Sequence, residues 1–160
     1  LTADDISALN GDDWKGARFG EVWKQWAEHE LALKLVRCDG GDKSVLGLVK
    51  IGVTRQIVGG AISLRDNLLE TVPIYRYDKQ HRQYRGIGRV LIARLVAASR
   101  AQGAGGRLFI SPVPTSLPFY RALGFVPTRN PRYWRLKTLE AEQLLIECTS
   151  PFEQSGIVEE

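Results

Sequence analysis

The chain has 160 residues, 44% hydrophobic and 25% charged, with a net charge of +4. That size and balance suit one compact domain with its own core, and exclude the disordered, fibrous and multidomain classes. No apolar run approaches the ~20 residues of a bilayer span, and segment 1–13 is acidic and mixed rather than basic and then apolar, so a cytoplasmic protein without a membrane partner is expected.

Trp14 to Glu30 carries Phe19, Val22, Trp23 and Trp26 at helical spacing, which predicts an amphipathic helix. Leu31 to Arg37 and Val45 to Val53 alternate or run apolar around Asp39-Gly40-Gly41-Asp42, the pattern of a β-hairpin. After a Gly59-Gly60 break, Ala61 to Arg65 and Leu68 to Ile74 read as extended segments, and Pro73 interrupts the second because it cannot donate to a ladder. From Gly88 to Gln102 the residues Leu91, Ile92, Leu95, Val96 and Ser99 recur at helical spacing, and Gly103 follows as a stop. Arg107 to Ile110 is a short apolar strand. Ser116 to Ala122 reads as a short helix with Thr115 or Ser116 as cap and Gly124 past its end. Tyr133 to Leu136 predicts a closing strand, and Thr138 to Cys148 a last helix capped by Thr138, with Glu140 near its positive end. The order predicts a mixed α/β (α+β) domain with a central sheet over residues 1–150 and a tail over 151–160.

Cys38 and Cys148, the only cysteines, lack Cys-x-x-Cys spacing and a histidine cluster, so neither a disulfide framework nor a metal site is expected. Charge is unevenly spread. Arg76, Lys79, Arg82, Arg85, Arg89 and Arg94 stand against Asp78 alone, whereas the chain beyond residue 139 carries six glutamates and no basic residue. Such a stretch is either a solvated face or an attractor for a polyanionic small molecule. Nucleic acid is the weaker reading, because no recognisable binding module accompanies it.

Gln83-Tyr84-Arg85-Gly86-Ile87-Gly88 stands directly before the best helix. Closely spaced glycines admit a ligand to the backbone, and a helix start offers unbonded N–H groups and partial positive charge, so a pyrophosphate fits there. A plain strand-to-helix turn needing glycine fits the same residues. Neither a P-loop lysine nor the third Rossmann glycine is present, which counts against nucleotide hydrolysis and hydride transfer.

The same six residues resemble the Q/R-x-x-G-x-G/A motif of the GNAT superfamily of N-acetyltransferases, and Phe119-Tyr120-Arg121-Ala122-Leu123-Gly124-Phe125 resembles its later F-Y-x-x-x-G-F motif. The resemblance covers roughly Leu68 to Pro127. It implies a mostly antiparallel mixed sheet, flanked by helices and splayed so that CoA lies between Leu68 to Ile74 and Arg107 to Ile110. It further implies that the backbone around Thr71, Val72 and Ile74 meets the pantetheine arm, and that Gln83, Tyr84, Arg85, Gly86, Ile87, Gly88 and Arg89 hold the pyrophosphate. Tyr120 resembles the family tyrosine near the thioester sulfur, where a phenol of pKa near 10 can serve as proton donor. Packing of the short helix is the competing role for its ring. Glu70 lies on the strand from which family members place a carboxylate near the acceptor amine, although a lone strand glutamate more often faces solvent. His29 and His81 earn no catalytic role.

Two departures stand out: the long charged passage from Tyr75 to Arg82, and Val113 where many members carry asparagine. The function expected is transfer of acetyl from acetyl-CoA to an amine of unspecified class within a ternary complex, in a chain that can also pair as a homodimer. A catalytically silent CoA-binding or protein-interaction module is the alternative, and an acetylating toxin acting on charged tRNA a third reading that nothing in the sequence selects.

Overall fold

The structure, a computed structural model, describes residues 32–39, 42–50, 54–58, 61–65, 68–71 and 86–149. The helix expected over Trp14 to Glu30, the cysteine-free tail over 151–160, and Val72, Ile74, Gln83, Tyr84 and Arg85 lie outside them.

The described elements divide into two compact units. In the first, β1 (Ala32–Asp39) and β2 (Asp42–Lys50) pair antiparallel from Asp39↔Asp42 to Ala32↔Lys50, as the hairpin pattern predicts, with a register shift between Leu35 and Val36. β5 (Leu68–Thr71) pairs antiparallel with the far edge of β2, giving the order β1-β2-β5. Leu46, Leu48 and Val49 of β2 are all buried, so this central strand is covered on both faces, as its unbroken apolar run requires.

In the second unit, β3 (Thr54–Val58) pairs antiparallel with β4 (Ala61–Arg65). β3 is a strand that the sequence reading did not mark, and Val58 pairs with Ala61 at the end of its ladder with β4. β4 then runs parallel to β6 (Leu108–Ile110), and β6 is antiparallel to β8 (Trp134–Leu136), which carries the two-residue β7 (Val126–Pro127) on its other side. The order is β3-β4-β6-β8-β7, with one parallel pairing, so the mixed and mostly antiparallel class holds. Among the described residues the strands are paired in one set of three and one of five. β5 and β6, the expected arms of the splay, lie in different sheets because β5 bonds β2 while β4 takes the parallel edge of β6.

Three helices complete the described elements: α1 (Ile87–Ala101), α2 (Leu117–Ala122) and α3 (Thr138–Thr149). All five residues of the predicted α1 stripe, Leu91, Ile92, Leu95, Val96 and Ser99, are 2% exposed or less. Each large apolar side chain buried there contributes about 1.5–3 kcal/mol. Ser99 is tolerated because its hydroxyl donates to the carbonyl of Arg107 at 2.7 Å. α1 ends in a Schellman motif: Ala104 N–H bonds Ser99 O, and Gly103 N–H bonds Arg100 O.

Two caps differ from expectation. Ser116 makes no side-chain cap bond to α2; its hydroxyl donates to Val113 O at 2.8 Å, because a 3₁₀ turn over Pro114–Ser116 precedes the helix. At α3, Ala141 N–H bonds Lys137 O, which makes Lys137 the cap and Thr138 the first helical residue. Glu140 does lie in the first turn, where the helix dipole favours a carboxylate.

Candidate active site

α1 begins at Gly86, whose carbonyl accepts the first helical bond from Val90 N–H at 3.0 Å. The amides of Ile87 and Gly88 precede that first internal donor, so they belong to the group for which a helix has no acceptor of its own. Gly86 has φ +82°, and among the described residues a Cβ built on it would meet nothing within 4 Å. Open space thus lies against the backbone at the positive end of the helix. No acidic side chain occupies the first turn to neutralise that end. A buried stripe holds the helix rigidly, so the groups are preorganised for an anion.

The aromatic motif has a structural explanation of its own. Phe125 N–H bonds Tyr120 O at 3.1 Å and Gly124 N–H bonds Arg121 O at 3.0 Å, a second Schellman motif, with Gly124 at φ +84°. The apolar contact that accompanies such a cap is here Tyr120 against Phe125, ring centroids 5.3 Å apart and edge-to-face. Phe119 packs on Tyr120 at 5.0 Å. Tyr, Gly and Phe at this spacing therefore build the end of α2.

Tyr120 is 8% exposed, and burial pushes its hydroxyl up to about pKa 12. The phenol is therefore neutral and proton-bearing throughout the physiological range. Its hydroxyl makes no hydrogen bond to another side chain among the described residues. The ring thus serves the α2 cap.

Of the other expected site residues, Thr71 ends β5 opposite Gly47, and Glu70 stands opposite the fully buried Leu48. Ile87 is buried, and Gly88 and Arg89 are half-buried on the first turn of α1. Val113, at the position of the missing asparagine, offers its carbonyl to both Ser116 N–H and Ser116 Oγ. Among the described residues no group of histidine, cysteine and carboxylates could hold a metal ion, and no helix is long and apolar enough to cross a membrane.

Among the described residues, Arg135 Nε of β8 and Glu140 Oε2 are buried without a hydrogen-bond partner.

A mixed, mostly antiparallel fold with an open helix N-terminus and a buried tyrosine defines a class of proteins suited to a phosphate-bearing ligand. The description "Acetyltransferase (GNAT) domain" matches residues 40–135, and the chain belongs to that family. Among solved structures, a GNAT family acetyltransferase from Brucella melitensis in complex with acetyl-CoA has 22% identity and TM-score 0.51, covering 85% of this chain and 83% of that one. A Tyr-to-Phe mutant of the AtaT toxin, bound to the C-terminus of the antitoxin AtaR and to acetyl-CoA, has 20% identity and TM-score 0.51 over 81% of this chain and 79% of that one. AtaTR bound with acetyl-CoA gives 21% identity and TM-score 0.50 with the same coverage. At these identities the likeness is one of fold. No curated protein matches the sequence.

Proposed function

We propose that the protein is an N-acyltransferase that moves the acetyl group of acetyl-CoA directly to an amine in a ternary complex. The observation that carries this reading is the start of α1: Gly86 at φ +82° with open space where a side chain would stand, ahead of a first turn without an acid. In a member of this family, that is a seat for the pyrophosphate.

Gln83 to Arg89 would hold the phosphates, and Thr71, Val72 and Ile74 the pantetheine arm. The bound cosubstrate supplies an activated thioester. Tyr120 directs its hydroxyl proton toward the departing sulfur. Its pKa of about 12 makes it a hydrogen-bond donor rather than a base, and a thiol of ordinary pKa near 8.5 is too acidic to take that proton outright. The hydroxyl therefore acts mainly by stabilising developing negative charge, a contribution on the order of 10²–10³ in rate for one positioned donor. Glu70 would accept the amine proton through water.

The test is thermal melting with acetyl-CoA, since a ligand held only by the folded state raises apparent stability. Acetyl-CoA should raise the melting temperature, and Gly86→Val should abolish the shift by filling the open space. Val also strains a positive-φ position by roughly 1–2 kcal/mol, so the variant's own melting point is measured beside it. No shift in the wild type at saturating acetyl-CoA would overturn the reading.

A further inference from the structure

We propose that Arg121 is a positioning residue for the reaction: by lying over the Trp134 ring it fixes the end of α2 on β8, and with it the Tyr120 hydroxyl. This rests on the donor role proposed above for that hydroxyl. α2 has six residues, and a helix so short does not hold its place by its own backbone bonds. Its contacts with the sheet decide where Tyr120 stands.

The chain meets β8 at two points as it leaves α2. Arg121 Cζ lies 5.6 Å from the centroid of the Trp134 ring. Three residues on, a Cβ on Gly124 would come 3.9 Å from Leu136 Cδ1 and 3.0 Å from Glu140 Cγ, so the backbone there runs close past β8 and the first turn of α3. Trp134 and Leu136 are two residues apart on one strand and therefore share a face. Both are buried, and Trp134 pairs with Ile110 of β6 on one side and Pro127 of β7 on the other. The indole is a fixed platform.

Tyr120 immediately precedes Arg121. Its carbonyl accepts from Phe125 N–H, and the Arg121 carbonyl accepts from Gly124 N–H, so the whole turn moves as one piece. The ring contacts of Tyr120 with Phe119 and Phe125 lie within that same stretch; they shape the cap without setting its place on the sheet. Arg121 reaches out of the stretch to a strand. It is exposed, so its charge stays hydrated at the edge while its stem and guanidinium cover the indole, the aromatic ring that attracts a cation best. Loss of that contact frees the end of α2 to turn about Gly124, and a proton donor loses effect quickly when displaced.

The test uses Arg121→Met, which keeps a long stem and removes the charge, and Arg121→Lys, which keeps a cation, each with and without Tyr120→Phe. CoA release from acetyl-CoA is followed with water as the acceptor and with benzylamine added. Hydrogen exchange of the Leu123, Gly124 and Phe125 amides is read by NMR, and melting checks that each variant is folded. In Arg121→Met, kcat should fall by about twofold to fivefold, the weight of one exposed cation–π contact, with KM for acetyl-CoA unchanged. Arg121→Lys should recover part of the loss, since an ammonium also lies over an indole. In the Tyr120→Phe background Arg121→Met should cost nothing further, because it acts through that hydroxyl. The three amides, all bonded to carbonyls of α2, should exchange faster in Arg121→Met by a similar factor while those of α1 do not change.

An equal loss of kcat in both backgrounds would overturn the proposal, as would a rise in KM alone, which would make Arg121 a ligand contact. The exchange measurement needs no acyl transfer. Unchanged exchange overturns the clamp whatever the turnover, whereas faster exchange beside full activity in Tyr120→Phe overturns the donor role and leaves the clamp standing.

Discussion

At the scale of single residues, the packing of the Tyr120 ring and the role proposed for its hydroxyl pull in one direction. The ring must be buried to complete the α2 cap against Phe125, and that burial raises the hydroxyl pKa to about 12. Tyr120→Phe should keep the ring contacts and the melting temperature at neutral pH, while turnover falls about 10²–10³-fold. Steady-state CoA release beside thermal melting checks both, and full activity in the variant would remove the assigned role. A pH effect follows from the same shift. Between pH 10, where the unfolded tyrosine ionises, and about 12, the folded state keeps a proton that the unfolded state has lost. Stability is thus fully present below pH 10 and declines as pH rises toward 12, by roughly 3 kcal/mol for this one group. The phenylalanine variant should show a shallower alkaline loss in urea titrations at pH 9 and 11. Equal slopes would mean that Tyr120 is solvated in the folded state.

At the scale of elements, both glycine-bearing motifs are helix ends, one a start and one a stop. Gly124 closes α2 at φ +84°, and a Cβ there would come 3.0 Å from Glu140 Cγ and 3.1 Å from Glu140 Cβ on α3. Gly124→Ala therefore meets backbone strain and a crowded helix together. The strain alone costs roughly 1–2 kcal/mol, so the urea midpoint should fall by at least the equivalent. An unchanged midpoint would show that the cap can be rebuilt without glycine. The contrast with Gly86 is informative. Both have positive φ, but around Gly86 the missing side chain leaves open space, whereas around Gly124 it leaves room for a neighbouring helix. The same residue type serves access in one place and packing in the other.

At the scale of the whole molecule, the sequence from Lys79 to Leu139 carries twelve Lys and Arg residues and no acid, a strongly basic stretch. Exposed arginines such as Arg94, Arg121, Arg129 and Arg132 contribute to it without touching a given ligand. Such a stretch draws in an anionic ligand over distances that salt shortens, from a Debye length of ~10 Å at 0.1 M to ~3 Å at 1 M. The affinity for acetyl-CoA should accordingly weaken as sodium chloride rises, and dephospho-CoA, with less charge, should bind more weakly at low salt and depend less on salt. Salt-independent calorimetry would leave only short-range contacts to account for binding.

What the sequence determined by itself is whatever depends on near neighbours along the chain. The α1 stripe, its glycine stop, the hairpin of β1 and β2, and the glycine turn at Gly86 are all repeated or adjacent patterns, and period and turn chemistry reveal them. Tyr120 was visible as a motif residue, but its spacing could not show the cap; the bond from Phe125 N–H to Tyr120 O does that. Only the tertiary structure decided the rest. β7, two residues long, is too short for periodicity to mark and exists because β8 completes its hydrogen bonds, while β3 went unread although it is as long as β4. Trp134 and Leu136 of β8 are buried because β6 and β7 pair on either side of the strand, since burial is a property of what surrounds a residue and not of the residue's own place in the chain.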